Sequence, residues 1–345
     1  MLYPYKFMPI LVERVWGGTA LSHYGKSIPF GKRIGESWEI SDRDDAQSVV
    51  ANGPDKGRTL RQQIEAHGAQ LLGSTVVGHT QTRGAATPPA RFPLLVKLLD
   101  ARERLSLQVH PPAGIAAKLK GEPKTEMWCV LEADQDAQLI AGLRRGVTAA
   151  NFMRALEGSA DGNGKTRKIE DCVYSFPVLA GDTFFVPSGR MHAIDAGVVL
   201  VEIQQNSATT YRVYDWGRTG LDGKPRQLHL KESLICIDFQ DFQPKKQRAN
   251  VESHGVNGLW QLVECKEFHV HRLDLRNAWP DRCDGSSFHI LTCLKGAVGL
   301  VTADGKEERI NVGEFVLHPA ALGFYSLMPL EEGTQALKSY VPRAG

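Results

Sequence analysis

The sequence has no apolar run approaching the ~18 residues that a membrane-spanning helix needs. A membrane partner is therefore not expected. It also lacks an excess of either charge: 41 Lys plus Arg stand against 39 Asp plus Glu, for a formal charge of +2. That balance argues against nucleic acid held by bulk charge. It leaves room for a small basic pocket that takes one phosphate. No two of the six cysteines, Cys129, Cys172, Cys236, Cys265, Cys283 and Cys293, have C-x-x-C spacing. In a chain of 345 residues they are expected to be free thiols of a reducing compartment. The first residues, MLYPYKFMPILVERVWGG, carry neither a basic leader before an apolar run nor a small-residue cleavage site. A signal peptide is not expected, and a cytoplasmic protein is.

Hydrophobic residues make up 42% of the chain, enough for two ordinary domains or one large one. The 34 glycines and 18 prolines break this material into short apolar runs. Runs such as Phe92 to Leu99, Glu126 to Leu131, Val198 to Gln204 and Phe288 to Leu294 read as antiparallel strands joined by turns. Helices are few: about 59–73, opened by the Thr59…Gln62 capping-box pattern, then 148–158 and 228–237. Turn-former clusters at 80–89 and 159–168 read as exposed loops.

An internal echo sets the architecture. Gly181-Asp-Thr-Phe-Phe-Val-Pro187 matches Gly313-Glu-Phe-Val-Leu-His-Pro319 in layout, and each follows a strand-like run with a cysteine, at Cys129 and Cys293. Two related β-barrels in tandem are the expectation. His192 follows the first Pro by five residues, and Phe324 takes that slot in the second copy. Residues 1–240 are therefore read as the metal-binding domain, and 241–345 as a related domain without a metal site.

Three segments carry chemistry. In Leu105-Ser-Leu-Gln-Val-His-Pro111, strand alternation puts Ser106, Gln108 and His110 on one face. Three polar side chains on one face are costly in a dry core and cheap in a wet or metal-filled cavity. Lys124 and Glu126 share a face in the next segment. The third, Gly181-x5-Pro187-x-Gly189-x2-His192, resembles the second cupin motif. His110 and Glu126 fit the order of the first cupin motif, with Gln108 in place of a histidine. Gln108, His110, Glu126 and His192 thus make a mixed N/O set for one divalent metal, whose identity the ligand types leave open.

The stretches Phe92-Pro-Leu-Leu-Val-Lys97, Leu105 to Pro111, Lys124-Thr-Glu-Met-Trp128 and Gln204 to Arg218 resemble type I mannose-6-phosphate isomerases of the short bacterial form. Glu13-Arg-Val-Trp-Gly-Gly18 and Gly35-Glu-Ser-Trp-Glu39 are similar too. The resemblance runs over essentially the whole chain. Ala208 departs from it where an acid is usual, and Cys129 where an aromatic is. It implies a mainly β fold of two cupin-type jelly rolls in tandem, with a few helices in or beside the first. It implies one Zn²⁺ per chain on Gln108, His110, Glu126 and His192. It implies catalytic roles for Arg212 and Lys124, and substrate contacts from Ser106, Lys97 and Arg218. The substrate is then a phosphosugar, and the protein a monomer or homodimer. Lys124 serves as a proton shuttle on this reading if desolvation lowers its pKa.

The competing readings are an isomerase of another phosphosugar, a non-catalytic sugar-binding bicupin and an Fe(II) cupin oxygenase. The binding protein predicts loss of a ligand or of Arg212, and all are present. The oxygenase prefers two histidines where Gln108 and His110 stand. Arg212 has a structural alternative as a partner of Asp215 or Glu202. His229, His269, His271, His289 and His318 read as surface or satisfied core histidines. Trp16, Trp38, Trp128 and Trp216 read as packing.

Overall fold

The computed structural model describes residues 2–80, 91–160 and 166–343. Nearly all of the loop expected at 80–89, and the middle of the one at 159–168, lie outside them. The first half supplies, in chain order, β1 (Phe7–Met8), β2 (Ile10–Gly18), β3 (Ile34–Ile40), β4 (Val49–Val50), β5 (Leu94–Ala101), β6 (Leu107–Val109) and β7 (Glu126–Ala133). It continues with β8 (Gln138–Leu143), β9 (Val173–Pro177), β10 (Thr183–Val186), β11 (His192–Ile194), β12 (Val198–Gln205) and β13 (Tyr211–Tyr214). The second half supplies β14 (Asn250–His254), β15 (Asn257–Glu264), β16 (His269–Leu275), β17 (Trp279–Arg282) and β18 (His289–Lys295). It ends with β19 (Ala297–Thr302), β20 (Glu307–Asn311), β21 (Phe315–His318), β22 (Phe324–Pro329) and β23 (Thr334–Tyr340). The chain is mainly β with few helices, as expected.

The strands build two sandwiches. In the first, a sheet ordered β10-β7-β12-β5-β3-β2 faces one ordered β13-β6-β11-β8-β9. In the second, β14-β15-β16-β23-β18-β21 faces β17-β22-β19-β20. Read from the other edge, the second large sheet repeats the first strand for strand. The sequence echo falls on β10 and β21, the equivalent edge strands. Each follows a left-handed glycine, Gly181 at φ 90° and Gly313 at φ 79°. An alanine at 313 would bring its Cβ to 2.6 Å from the Tyr24 Cβ.

β5, LLVKLLDA, is buried along its whole length and so shows no polar side to the eye. Its two faces enter different cores, as the period of two demands. Leu94, Val96 and Leu98 face outward and pack with Met127, Val201, Ile290, Leu317 and Leu337, so the large sheets of the two halves share one core. Leu99 faces inward with Trp128, Val130 and Leu200, filling the first sandwich. A third core covers the outer face of the smaller sheet, where Leu107, Val109 and Ile140 meet Phe152 of the helix Ala149–Glu157 and Cys236 of the helix Leu230–Cys236. The expected 59–73 helix is Leu60–His67 and Ala69–Leu72, broken at Gly68, which takes φ 47° and ψ −119°. Its Thr59/Gln62 capping box forms. All six cysteines are free. No helix among the described residues is long and apolar enough to cross a membrane.

Phe92 and Phe288 are both fully buried, one from each half, with ring centroids 4.6 Å apart. Phe288→Ala should cost about 3–5 kcal/mol, because the cavity opens in the core both halves share. Denaturant unfolding should show one transition for wild type and a lower midpoint for the variant. An unmoved midpoint would rule out the shared core as a source of stability.

Candidate active site

Three strand ends converge at one end of the first sandwich. Gln108 lies inward on β6, and His110 follows directly after it. His192 opens β11 directly across from Gln108. Glu126 opens β7, opposite Val186 on one side and Gln204 on the other. The turn before β11 is tied down by Gly189, which takes φ 91° and donates its N–H to the His110 carbonyl at 2.9 Å. A residue with a side chain there would be strained. The alternation expected from Leu105 to His110 holds with one exception. Leu107 and Val109 enter the outer core, but Leu105 packs in the inner one, because the strand begins only at Leu107.

His110, Glu126 and His192 have ligand atoms within 4.8 Å of one another, and all three are buried. Glu126 Oε1 lies 3.3 Å from His192 Nε2, and Oε2 lies 3.5 Å from His110 Nε2. The Gln108 amide stands 3.3 Å from His192 Nε2. Each imidazole is oriented from behind. His110 Nδ1 is 2.9 Å from the Thr209 carbonyl, and His192 Nδ1 is 2.9 Å from the Arg190 carbonyl. A carbonyl only accepts, so both Nδ1 atoms carry the proton and both Nε2 lone pairs face Glu126. Burial, followed by the charge of Lys124, pushes the His110 pKa down to about 4. Burial likewise lowers His192. Burial alone would raise Glu126, but Lys124 and then His110 overcome it and hold the carboxyl well below its usual range. Neither Glu126 oxygen has a hydrogen bond of good geometry, although Lys124 Nζ is only 2.5 Å from Oε2. A buried carboxylate with lone pairs to spare, facing two imidazole lone pairs, fits a divalent cation.

Lys124 differs from expectation. It is buried, with Nζ 3.2 Å from His110 Nε2 and 3.9 Å from Glu202 Oε1. Desolvation does work to lower its pKa, as predicted, but Glu126 and Glu202 outweigh it and the pKa is raised. Lys97 is buried too, 3.3 Å from Glu202 and 3.4 Å from Glu36, with Nζ over the Trp38 ring. Ser106 is buried just before β6.

Arg212 lies on β13 across from Gln108. Its Nη1 donates to the Gln227 carbonyl at 2.8 Å, and its buried Nε has no partner. Among the described residues it pairs with neither Asp215 nor Glu202. Burial, then Arg226, lowers its pKa, with Arg218 and Arg14 adding to the effect. Arg218 is instead bound to Asp215 through Nε and Nη2, at 3.1 and 3.0 Å, and Arg226 holds the same carboxylate at 2.7 Å.

Sequence reasoning gave no site role to Glu36, Glu202, Arg14 or Arg226. Glu36 and Arg14 lay within stretches that carried the resemblance, so a signal existed for those two. Trp128 does more than pack: its Nε1 donates to Glu202 at 3.1 Å, and its ring lies edge-on to His192.

Comparison with known proteins agrees with this geometry. The family described as phosphomannose isomerase type I, catalytic domain, matches residues 5–126. The chain is 35% identical over 341 residues to the mannose-6-phosphate isomerase ManA of Bacillus subtilis (strain 168), covering 98% of this chain and 96% of that one. A crystal structure of the mannose 6-phosphate isomerase from Bacillus subtilis superposes with a TM-score of 0.83 at 29% identity, covering 98% of this chain and 99% of that one. A zinc-bound mannose 6-phosphate isomerase shares the fold at a TM-score of 0.71 and 17% identity, over 99% and 100% of the two chains. With more than nine-tenths of both sequences aligned at this identity, the chain belongs to the type I mannose-6-phosphate isomerase family.

Proposed function

We infer that this chain interconverts D-mannose 6-phosphate and D-fructose 6-phosphate, and that its cofactor is one Zn²⁺ held by Gln108, His110, Glu126 and His192. The observation that carries the reading is the buried Glu126 carboxylate, neither oxygen of which has a hydrogen bond of good geometry, set between two imidazoles whose free nitrogens face it. Zinc takes imidazole nitrogen and carboxylate oxygen, and it is the metal of the holo relative named above. The six free thiols fit the cytoplasm we assign to it.

The reaction moves one proton between C1 and C2 of the sugar. A bound Zn²⁺ supplies Lewis acidity toward the sugar oxygens at those carbons. Arg212 contributes a fixed positive charge across from Gln108, with an unpartnered Nε for an oxygen of the substrate. Lys124 carries a proton at Nζ, where Glu126 and Glu202 keep it protonated. With Glu126 engaged by a metal, Lys124 would lose the largest of those attractions and give up that proton more readily. Lys97 is held between Glu36 and Glu202, which fixes the position of its ammonium. Arg218 brings a second guanidinium to the phosphate. Arg226 shares Asp215 with it, so the pair keeps a net positive charge. Ser106 adds a hydroxyl beside β6.

Coupled isomerase activity on mannose 6-phosphate should vanish with EDTA, return with Zn²⁺ and be absent in folded His192→Ala. A zinc-loaded wild type that leaves this sugar unchanged sinks the reading. Arg212→Met should lower kcat/KM by about 100-fold or more while metal content stays at the wild-type level. A variant that instead loses its metal would place Arg212 in the scaffold.

The metal-free protein should also weaken in mild acid. His110 titrates at about 4 when folded, against 6.5 for the ordinary residue. As pH falls through that window the unfolded chain takes up a proton that the folded one refuses. The stability present above pH 6.5 is then lost by roughly 3 kcal/mol at most. Denaturant midpoints at pH 7 and pH 5 should differ more for the apo wild type than for apo His110→Gln. Equal differences in the two proteins would refute the assignment.

A further inference from the structure

The second sandwich repeats the first in strand order, so positions can be matched through the ladders. Glu202 pairs with Lys97 across β12 and β5, and Lys338 pairs with His271 across β23 and β16. Glu126 stands two residues before the partner of Glu202 on β7, and His289 stands two before the partner of Lys338 on β18. The polar end of the first sandwich thus has a polar counterpart in the second, lined by His271, His289 and Lys338. There each matching group is paired with a neighbour. His289 Nδ1 lies 2.8 Å from Tyr325 Oη, and Lys338 lies 2.5 Å from Asp281.

His271 also belongs to a cluster with Glu264 and His269 at this end. His269 and His271 lie two apart on β16, on the face that also carries Leu273 and Leu275 into the sandwich core. Glu264 closes β15 directly opposite His269. The ligand atoms of the three residues lie within 4.8 Å of one another. Glu264 Oε1 is 3.1 Å from His271 Nε2 and 3.7 Å from His269 Nδ1. Donor atoms on a tetrahedral ion at ~2.0–2.2 Å stand ~3.3–3.6 Å apart. These separations bracket that range, and the first-sandwich cluster has 3.3 and 3.5 Å. The Tyr340 hydroxyl is 3.4 Å from His269 Nδ1. Burial lowers the pKa of both imidazoles and favours the neutral rings a metal needs. Lys338, whose charge bears on His271, is already paired with Asp281. The Glu264 side chain is 43% exposed and that of His269 24%, so an ion reaches the cluster from solvent.

We propose that Glu264, His269 and His271 form a second divalent transition-metal site, of the Zn²⁺ class, at the mouth of the second sandwich. Two imidazoles and one carboxylate leave a coordination position for water and favour Zn²⁺, Co²⁺ or Ni²⁺ over Mg²⁺ or Ca²⁺. The site is independent of the one around Glu126.

Equilibrium dialysis of the full chain against micromolar free Zn²⁺, with elemental analysis, tests it. Wild type should take up two zinc ions per chain. Glu264→Gln and His269→Gln, both at partly exposed positions, should each take up one and keep isomerase activity within twofold of wild type. His192→Ala should lose the other ion and keep this one, so the two sites are counted apart. Replacing Zn²⁺ with Co²⁺ should give d–d absorption in His192→Ala that Glu264→Gln removes from that background. Saturation of wild type at one ion, or an undiminished count in both Glu264→Gln and His269→Gln, would overturn the proposal.

Discussion

The constraint on which the site depends is a carboxylate with no exposed surface. Glu126 stands in the interior, where an unpaired charge is intolerable. Its nearest cation, Lys124, is also buried, and both Glu126 and Glu202 hold it in its charged form. Glu202 in turn faces Lys97. Lys97 meets Glu36, and Glu36 meets Arg14, whose side chain reaches solvent. Alternating charges thus run from Glu126 to the surface across β7, β12, β5, β3 and β2, the order of those strands in the sheet. Buried ion pairs are weak sources of stability, and apolar residues in their place often do as well. A network this long is better explained by the charge it fixes at Glu126 than by what it adds to folding.

The residues proposed as ligands were legible because they sit on local patterns. His110 and Gln108 share a strand face, and His192 stands at a fixed distance from a Pro and a Gly that make a turn. The network behind them was not legible, because each partner comes from a different strand and no spacing links Glu36 to Lys97 or Lys97 to Glu202. That the Lys124 pKa is raised was not legible for the same reason. Desolvation is visible in a run such as Lys124-Thr-Glu-Met-Trp128, but Glu202 arrives from β12, far along the chain. Leu105 turned inward because alternation starts only where the ladder starts. Gly68 broke a helix whose capping signals ran correctly at its first turn.

The tandem architecture was legible from the repeated Gly-x5-Pro segment, and the structure gives that repeat its meaning. Both copies are edge strands of large sheets that run in the same order. What joins the halves is the apolar parity of strands such as β5 and β18. Their outward residues form one core, and their inward residues form two separate ones.

That parity leaves each sandwich with the same problem at the same end. Inward positions near the strand ends are too deep for water and too polar for a dry core. The first sandwich meets the problem with His110, Glu126 and His192 presenting lone pairs to one point beside the Lys124 ammonium, an arrangement a divalent cation would complete. The second meets it pairwise, with His289 on Tyr325 and Lys338 on Asp281, each satisfied by its neighbour. Divergence between the copies is thus a change in how buried polar groups are paired rather than in topology. His271, which holds the register of Lys97, shows the step. Where the first sandwich places a cation between two carboxylates, the second places a neutral base beside one.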